Sequence, residues 1–302
     1  MVSITPVLLT GRCVCNRVVC REHYRLTVTM PDFPLTVPGQ FVTIAPAAPT
    51  DAGGSFYLRR AFSISGLRRA VGQVEVDLLY RVVGSATRWM ASIKSGEPVS
   101  LIGPLGNGFP IAESRSRAWL VAGGVGLPPM LWLSEVLHEH RIATTAFCGA
   151  RTADLLPLSV PDVATVSRDA CSASLCAAEF SSHDVPAVLC TDDGSLGYRG
   201  AVVDAVRTFC DVRSPGPGEL VVYACGPEGM LQAVAEWARE RNILCYVCTE
   251  RAMACGMGTC QSCVIPMVCD SDPQGWQYKL CCTDGPVFDS RTVAWVAREL
   301  QK

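Results

Sequence analysis

AWLVAGGVGLPPMLWLSEVLHEH, residues 118–140, decides the fold. It reads as a β-rich run, a glycine-rich turn and a helix. Units of that kind build parallel α/β sheets. Its most apolar part, LVAGGVGLPPMLWL (120–133), holds three glycines and two prolines. It is too short and too broken to span a bilayer. Downstream the alternation continues through TTAFCGA (144–150), AVLCTDD (187–193), LVVYACGPEGMLQAVAEWARE (220–240) and NILCYV (242–247).

Upstream the pattern is different. RLTVTM, GQFVTIA, RAFSISG, QVEVDLLYRVV and EPVSLIG recur between turn signals over residues 1–110, the spacing of an antiparallel barrel. One helical segment, ATRWMASIK (86–94), interrupts them, with Thr87 at its start as a predicted N-cap. IAESRSR (111–117) and TERAMA (249–254) read as linkers.

The expected architecture is therefore β + α/β. An N-terminal antiparallel Greek-key β-barrel (1–110) precedes a Rossmann-like parallel α/β domain (117–248) and a small C-terminal domain (249–302). The chain has 302 residues, a net charge of −2 and 49% hydrophobic residues. That composition supports a large core and argues against disorder. It carries no basic stripe for nucleic acid. MVSITPVLLTGR lacks the charged and apolar regions of a signal peptide, so a soluble, cytoplasmic protein without a membrane span is expected.

Chemistry concentrates near the C-terminus. Cys255, Cys260 and Cys263 form a C-x4-C-x2-C run in ACGMGTCQSC, and Cys281–Cys282 follow after a gap. Three such cysteines with a distant fourth match the plant-type [2Fe–2S] ligand pattern. Structural zinc, the alternative, usually shows two short C-x2-4-C knuckles. Adjacent side chains in extended backbone point opposite ways, so only one of Cys281 and Cys282 is expected to be a ligand. Gly256 and Gly258 allow the loop to turn its N–H groups toward sulfur. Of the seventeen cysteines, most others lie in apolar runs and read as core. Cys13, Cys15 and Cys20 suggest a second metal site but show no fourth ligand, and Cys245-x2-Cys248 resembles a redox pair but lies in a strand pattern rather than at a helix start, so these too read as core.

Two further sites are legible. RRAFSIS (59–65) puts Arg60, Phe62 and Ser63 on one strand, with cation, apolar surface and hydroxyl for a flavin dinucleotide. GSAT (84–87) opens a helix whose N-terminus suits phosphate, and Tyr80 precedes it as a ring to stack. In VAGGVGLPPM (121–130), Gly123, Gly124 and Gly126 allow a dinucleotide close to a helix N-terminus, though this is not G-x-G-x-x-G. ACGPEGML (224–231) closes a later strand, where open α/β sheets bind ligands. Cys225 there faces a nicotinamide or is simply a buried thiol. GPLGNGF (103–109) is a tight connector or an element near the cofactor. No Ser/His/Asp or Cys/His nucleophile set appears. His23, His138, His140 and His183 read as surface side chains.

LRRAFSIS, YRVVGSAT, GPLGNGF, AGGVGLPPM, TDDGSLGYRG, YACGPEGML, ERAMACGMGTCQSC and CTDGPVF, in this order and over nearly the whole chain, resemble the ferredoxin reductase superfamily. Within it the chain is most similar to the electron-transfer subunits of NAD-dependent dihydroorotate dehydrogenases. The chain departs with AF where that family often has PI and with alanine at 86 where glycine is usual.

The resemblance implies FAD held by Arg60, Ala61, Phe62, Ser63, Leu79, Tyr80, Arg81, Ala86 and Thr87. It implies NAD at Gly123, Gly124, Gly126, Cys225, Gly226 and Pro227. It also selects Cys282, which precedes TDGPVF, as the fourth ligand beside Cys255, Cys260 and Cys263. No arginine cluster is placed for a 2′-phosphate, which favours NAD over NADP.

No stretch remains for an FMN-bearing (β/α)8 domain of around 250 residues. Oxidation of dihydroorotate is therefore expected in an FMN-containing catalytic partner, in a heterotetramer of two copies of each subunit. Electrons would pass from that FMN through the cluster and FAD to NAD+, in pyrimidine biosynthesis. The alternatives are an NAD(P)H–ferredoxin or sulfide-linked reductase subunit, and a non-catalytic regulatory module.

Overall fold

The computed structural model describes residues 5–46, 58–216 and 218–295. The ends of the expected first and third domains, 1–4 and 296–302, lie outside the described residues.

Six strands close the barrel: β1 (Val7–Cys20), β2 (His23–Met30), β3 (Phe41–Pro46), β4 (Arg60–Ala70), β5 (Gln73–Arg81) and, after helix α1 (Ser85–Ser92), β6 (Pro98–Leu105). Their order is β1-β2-β5-β4-β3-β6, all antiparallel. Strand side chains alternate between faces. So QVEVDLLYR turns Val74, Val76, Leu78 and Tyr80 inward, where Leu26, Val28, Ile44 and Leu101 meet them. The outward Asp77 accepts hydrogen bonds from Thr27 and Arg68, at 2.5 and 2.7 Å, which keeps a buried carboxylate satisfied.

His23 is an exception to the sequence expectation. It opens β2 at only 2% exposure, with Nδ1 2.8 Å from the Arg21 carbonyl and Nε2 without a partner. A single histidine beside a turn gives no sign of which strand face it takes. Burial holds its pKa below the usual 6.5. As pH falls, the unfolded chain takes up this proton first. Stability is then fullest above pH 6.5 and declines below it, at no more than about 1.4 kcal/mol per pH unit. His23→Gln is expected to flatten that decline, as read from urea midpoints at pH 7.5 and 5.5.

The second layer system is a seven-stranded sheet, built around β7 (Arg117–Gly123), helix α2 (Leu127–Glu139), β8 (Ala143–Ala150), helix α3 (Ala178–Ser181), β9 (Ala187–Thr191) and β10 (Tyr198–Arg199). It continues with α4 (Val202–Arg213), β11 (Leu220–Cys225), α5 (Glu228–Glu240) and β12 (Leu244–Cys248). A hairpin, β13 (Val264–Val268) and β14 (Trp276–Leu280), follows, and the chain then returns to the sheet as β15 (Val287–Asp289). The order is β10-β9-β8-β7-β11-β12-β15, parallel except for the antiparallel edge β15.

Central parallel strands are covered on both faces and read as unbroken apolar runs. All six residues of β11, LVVYAC, are buried. On one face Trp119, Phe147, Phe209 and Trp237 cluster with centroids 5.2–6.1 Å apart, the two tryptophans stacked and the phenylalanines tilted or edge-on. On the other lies α2, apolar around most of its circumference because it is buried on two sides. Leu127, Met130 and Leu133 face the sheet, while Trp132 joins the barrel core. Among the described residues no helix is long and apolar enough to cross a membrane.

Candidate functional site

Barrel, sheet and C-terminal loop meet at one cleft of about 480 Å3, within the size range of cofactor sites. The barrel wall brings Arg60, Ala61, Phe62, Ser63, Leu79, Tyr80 and Arg81 together with Ala86 and Thr87 from α1. Strands β4 and β5 deliver the first seven because the hairpin joining them pairs Arg69 with Val74 and Ala70 with Gln73, aligning their opposite ends at the cleft.

Thr87 is not the N-cap. The helix begins at Ser85 with Gly84 as its cap, and Thr87 lies three residues in. Its Oγ1 accepts hydrogen bonds from the Val83 and Gly84 amides at 2.9 and 3.0 Å, bracing the loop from the helix side. The first turn carries no acidic residue, so its exposed N–H ends suit a phosphate.

Tyr80 is 2% exposed, and its hydroxyl donates to Asn16 at 3.1 Å. Burial pushes its phenol pKa up. It is a fixed part of the wall, stacked on Tyr24 with ring centroids 5.8 Å apart. Half-buried Phe62 packs edge-on against it at 5.9 Å. The Arg81 guanidinium is held by Glu22 at 2.6 and 2.9 Å.

From the sheet, Gly126, Cys225 and Gly226 line the same cleft. A Cβ on Gly126 would stand 2.0 Å from the Cys225 carbonyl oxygen, so α2 starts against the end of β11 only because this residue lacks one. Gly123 and Gly124 are not on the cleft wall. Gly123 packs under Met230 and Pro227, and Gly124 takes φ +53° in the turn. Pro227 lines an adjoining cleft of about 410 Å3 with Glu228, Glu250 and Arg251.

Sequence reasoning missed the third wall. TERAMA, read as a linker, supplies Thr249, Glu250, Arg251, Ala252 and Met253 to the cleft. Arg251 donates to its neighbour's carbonyl at 2.6 Å and pairs with Glu228 at 3.5 Å. Its polar content near a strand end was the available signal.

The cysteine loop starts two residues beyond Met253. Cys255 Sγ accepts amide hydrogens from Met257 and Cys260 at 3.4 Å, Cys263 Sγ accepts from Cys282 N at 3.4 Å, and Cys282 Sγ accepts from Gly258 N at 3.2 Å. Gly256 and Gly258, at φ +75° and +86°, turn these amides inward. The thiols also interact as pairs, Cys255 with Cys260 and Cys263 with Cys282. Hydrogen bonds from Ser262 lower the exposed Cys260 to about 6, while burial raises Cys282 to about 12.

Among the described residues no three His, Cys, Asp or Glu side chains converge as a single ion requires. Two thiol pairs, three of the thiols on the 255–263 loop and Cys282 just beyond the β13–β14 hairpin, suit a centre with two metals and two ligands on each. Cys281 points elsewhere. Its thiol donates to the Thr249 carbonyl at 3.3 Å, and burial lifts it to about 11.

GPLGNGF clasps this loop to the barrel. Asn107 Nδ2 donates to the carbonyls of Asp284 and Val287 at 3.0 and 2.9 Å, and its Oδ1 accepts from Val287 N at 2.9 Å. Asn107→Ala removes all three bonds. It is expected to cost about 2–3 kcal/mol and to speed metal release to a chelator, read by urea midpoint and iron loss.

Comparison with known proteins gives three findings. Residues 250–294 match the family model described as the iron-sulfur cluster binding domain of dihydroorotate dehydrogenase B. The chain is 32% identical over 278 residues to the dihydroorotate dehydrogenase B (NAD(+)) electron transfer subunit of Desulforamulus reducens, covering 92% of this chain and 94% of the relative. To the same subunit of Bacillus mycoides it is 36% identical over 253 residues, covering 83% and 84%. Among solved structures, it is similar to a chain from the NADH-dependent reduced ferredoxin-NADP oxidoreductase, with TM-score 0.75, 25% identity, and 96% and 91% of the two chains covered. The ferredoxin reductase of carbazole 1,9a-dioxygenase shares the fold at TM-score 0.61 and 17% identity, covering 80% of this chain and 68% of that one.

Proposed function

The chain belongs to the family of electron transfer subunits of dihydroorotate dehydrogenase B (NAD(+)), and from that premise we propose that it binds FAD, NAD and a [2Fe–2S] cluster. It is an oxidoreductase subunit that links NAD+ to a dihydroorotate-oxidising catalytic partner in pyrimidine biosynthesis. When bound, the groups supply hydride exchange at the nicotinamide, single-electron exchange at the cluster, and interconversion of the two at the flavin.

The chain's own residues bind, orient and shield. Arg60 and the N-terminus of α1 present positive charge to a pyrophosphate. Phe62 and Leu79 give apolar surface, and Ala61, Ser63, Tyr80, Arg81, Ala86 and Thr87 complete that wall. Gly126, Cys225 and Gly226 leave room for a nicotinamide against the sheet. Gly123, Gly124 and Pro227 shape the two turns behind it. Cys255, Cys260, Cys263 and Cys282 are the proposed cluster ligands, and the amides of Met257, Gly258, Cys260 and Cys282 stabilise their thiolates.

One observation carries this reading: the cleft wall formed by Thr249–Met253 runs directly into Cys255, so all three sites adjoin. Cys260 and Met257 are exposed at the outer side of the loop, which supports an outward port for an FMN-containing partner in a heterotetramer of two copies of each. The thirteen cysteines outside the proposed cluster are unbridged thiols, which supports a reducing compartment, the cytoplasm.

Purified anaerobically, the protein is expected to show flavin and iron–sulfur absorption, to co-purify with the partner and to reduce NAD+ when the complex receives dihydroorotate. A folded but colourless protein would overturn the cofactor assignment. A coloured protein that binds no dihydroorotate-oxidising partner would overturn the partner assignment and leave a ferredoxin-linked reductase.

A further inference from the structure

Two thiols in the cleft wall stand side by side. Cys225 ends β11 and Cys248 ends β12, and they are register partners on adjacent parallel strands. Neighbouring strands lie about 4.8 Å apart, inside the roughly 4.4–6.8 Å Cα window that a disulfide spans. Both belong to the same core cluster on one face of the sheet, and both line the cleft. Cys225 is the more exposed, at 9% against 4%.

Other neighbouring thiols differ. Cys148 and Cys190 also interact, but they are 1% and 0% exposed and do not line this cleft. Cys281 lies near Cys248, yet its thiol is committed to the Thr249 carbonyl and it lines no part of the cleft.

On the reading of this cleft as the flavin–nicotinamide site, we propose that Cys225 and Cys248 form a redox-modifiable dithiol. A hydroperoxide oxidises Cys225, and Cys248 closes a disulfide that withdraws the Cys225 sulfur from the nicotinamide position. In the first step the Cys225 sulfur attacks the peroxide O–O bond, giving a sulfenic acid and releasing an alcohol, or water from hydrogen peroxide. In the second the Cys248 sulfur displaces the sulfenic hydroxyl, which leaves as water with the Cys248 proton. The two sulfurs together lose two electrons, and the peroxide gains them. Contact with Cys225, together with burial, raises the Cys248 pKa well above that of a free thiol, so Cys248 attacks only as it gives up its proton, which passes to the leaving hydroxyl. A dithiol reductant reverses the bond. The device would shut the nucleotide side before over-oxidation destroys the more accessible thiol.

The test treats the intact complex anaerobically with stoichiometric hydrogen peroxide, alkylates free thiols and maps peptides by mass spectrometry. The expected product joins the Cys225 and Cys248 peptides, lighter by the two hydrogens lost, and disappears with dithiothreitol. Equilibrium binding of NAD+ should weaken about tenfold or more and recover on reduction. In Cys248→Ser, Cys225 should instead pass to sulfinic acid.

A Cys248–Cys281 link, sulfinic Cys225 in the unaltered chain, or two unmodified thiols would each overturn the proposal. Flavin absorption and NAD+ reduction before treatment report separately on the cleft. Their absence sinks the cofactor reading, whereas their presence without the link sinks only the dithiol.

Discussion

Cys282→Ser is expected to abolish the visible cluster absorption and reduce bound iron to near zero, while Cys281→Ser retains both. The two residues are adjacent, but their thiols face different surroundings. Cys282 interacts with Cys263 and Cys255 and accepts the Gly258 amide. Cys281 hydrogen-bonds Thr249 on the far side of the chain. Losing a cluster ligand removes a quarter of the anchoring thiolates, and folding energy in such loops comes largely from the metal. Losing the Cys281 bond costs only about 1 kcal/mol. Iron per chain and the visible spectrum, measured anaerobically on both variants, decide the matter. Equal loss in both would remove the basis for choosing Cys282.

Gly126→Ala is expected to lower the thermal midpoint by roughly 6–12 °C, from a cost near 3 kcal/mol, and to weaken NAD+ binding more than tenfold. The added methyl has nowhere to go. It would collide with the Cys225–Gly226 peptide group, at 2.0 Å from the Cys225 oxygen, 2.2 Å from the Cys225 carbon and 2.5 Å from the Gly226 nitrogen. Gly126 does not have positive φ, so the effect is a direct collision between α2 and the end of β11. Gly229→Ala is the control. It lies in α5 with open space around it, and alanine there should be neutral or slightly stabilising. Similar losses in both variants would show that the close approach at Gly126 is not the cause.

Much of this arrangement was legible. Unbroken apolar strands such as LVVYAC mark a sheet covered on both faces, and QVEVDLLY marks a barrel wall by alternation. The cysteine spacing and the glycines between pointed to a metal loop before any geometry was seen. The shortfalls lie in contacts without a local signature, some of them far away in sequence. Thr249–Met253 looked like a linker because nothing local shows that β12 ends at a cleft. GPLGNGF stayed open between a tight connector and an element near the cofactor because the partners of Asn107 lie some 180 positions downstream. Thr87 resembled a cap because hydroxyls favour both the first position and the third, where it reaches back to the loop amides. His23 is buried by the turn beside it and by its strand's register, neither of which has a local signature.

The antiparallel edge strand β15 carries a consequence for how this protein fails. The chain leaves the sheet at Cys248, builds the metal loop and comes back as Val287–Asp289, covering the flank of β12. Thr249 N donates to the Pro286 carbonyl at 2.8 Å, so departure and return are zipped together. A truncation that removes the metal loop also strips that cover. It leaves LCYVC, an apolar strand with unpaired backbone, as the open border of the sheet, and such borders recruit other chains. Iron scarcity should therefore appear first as precipitation of the nucleotide-binding half, before the barrel loses its shape.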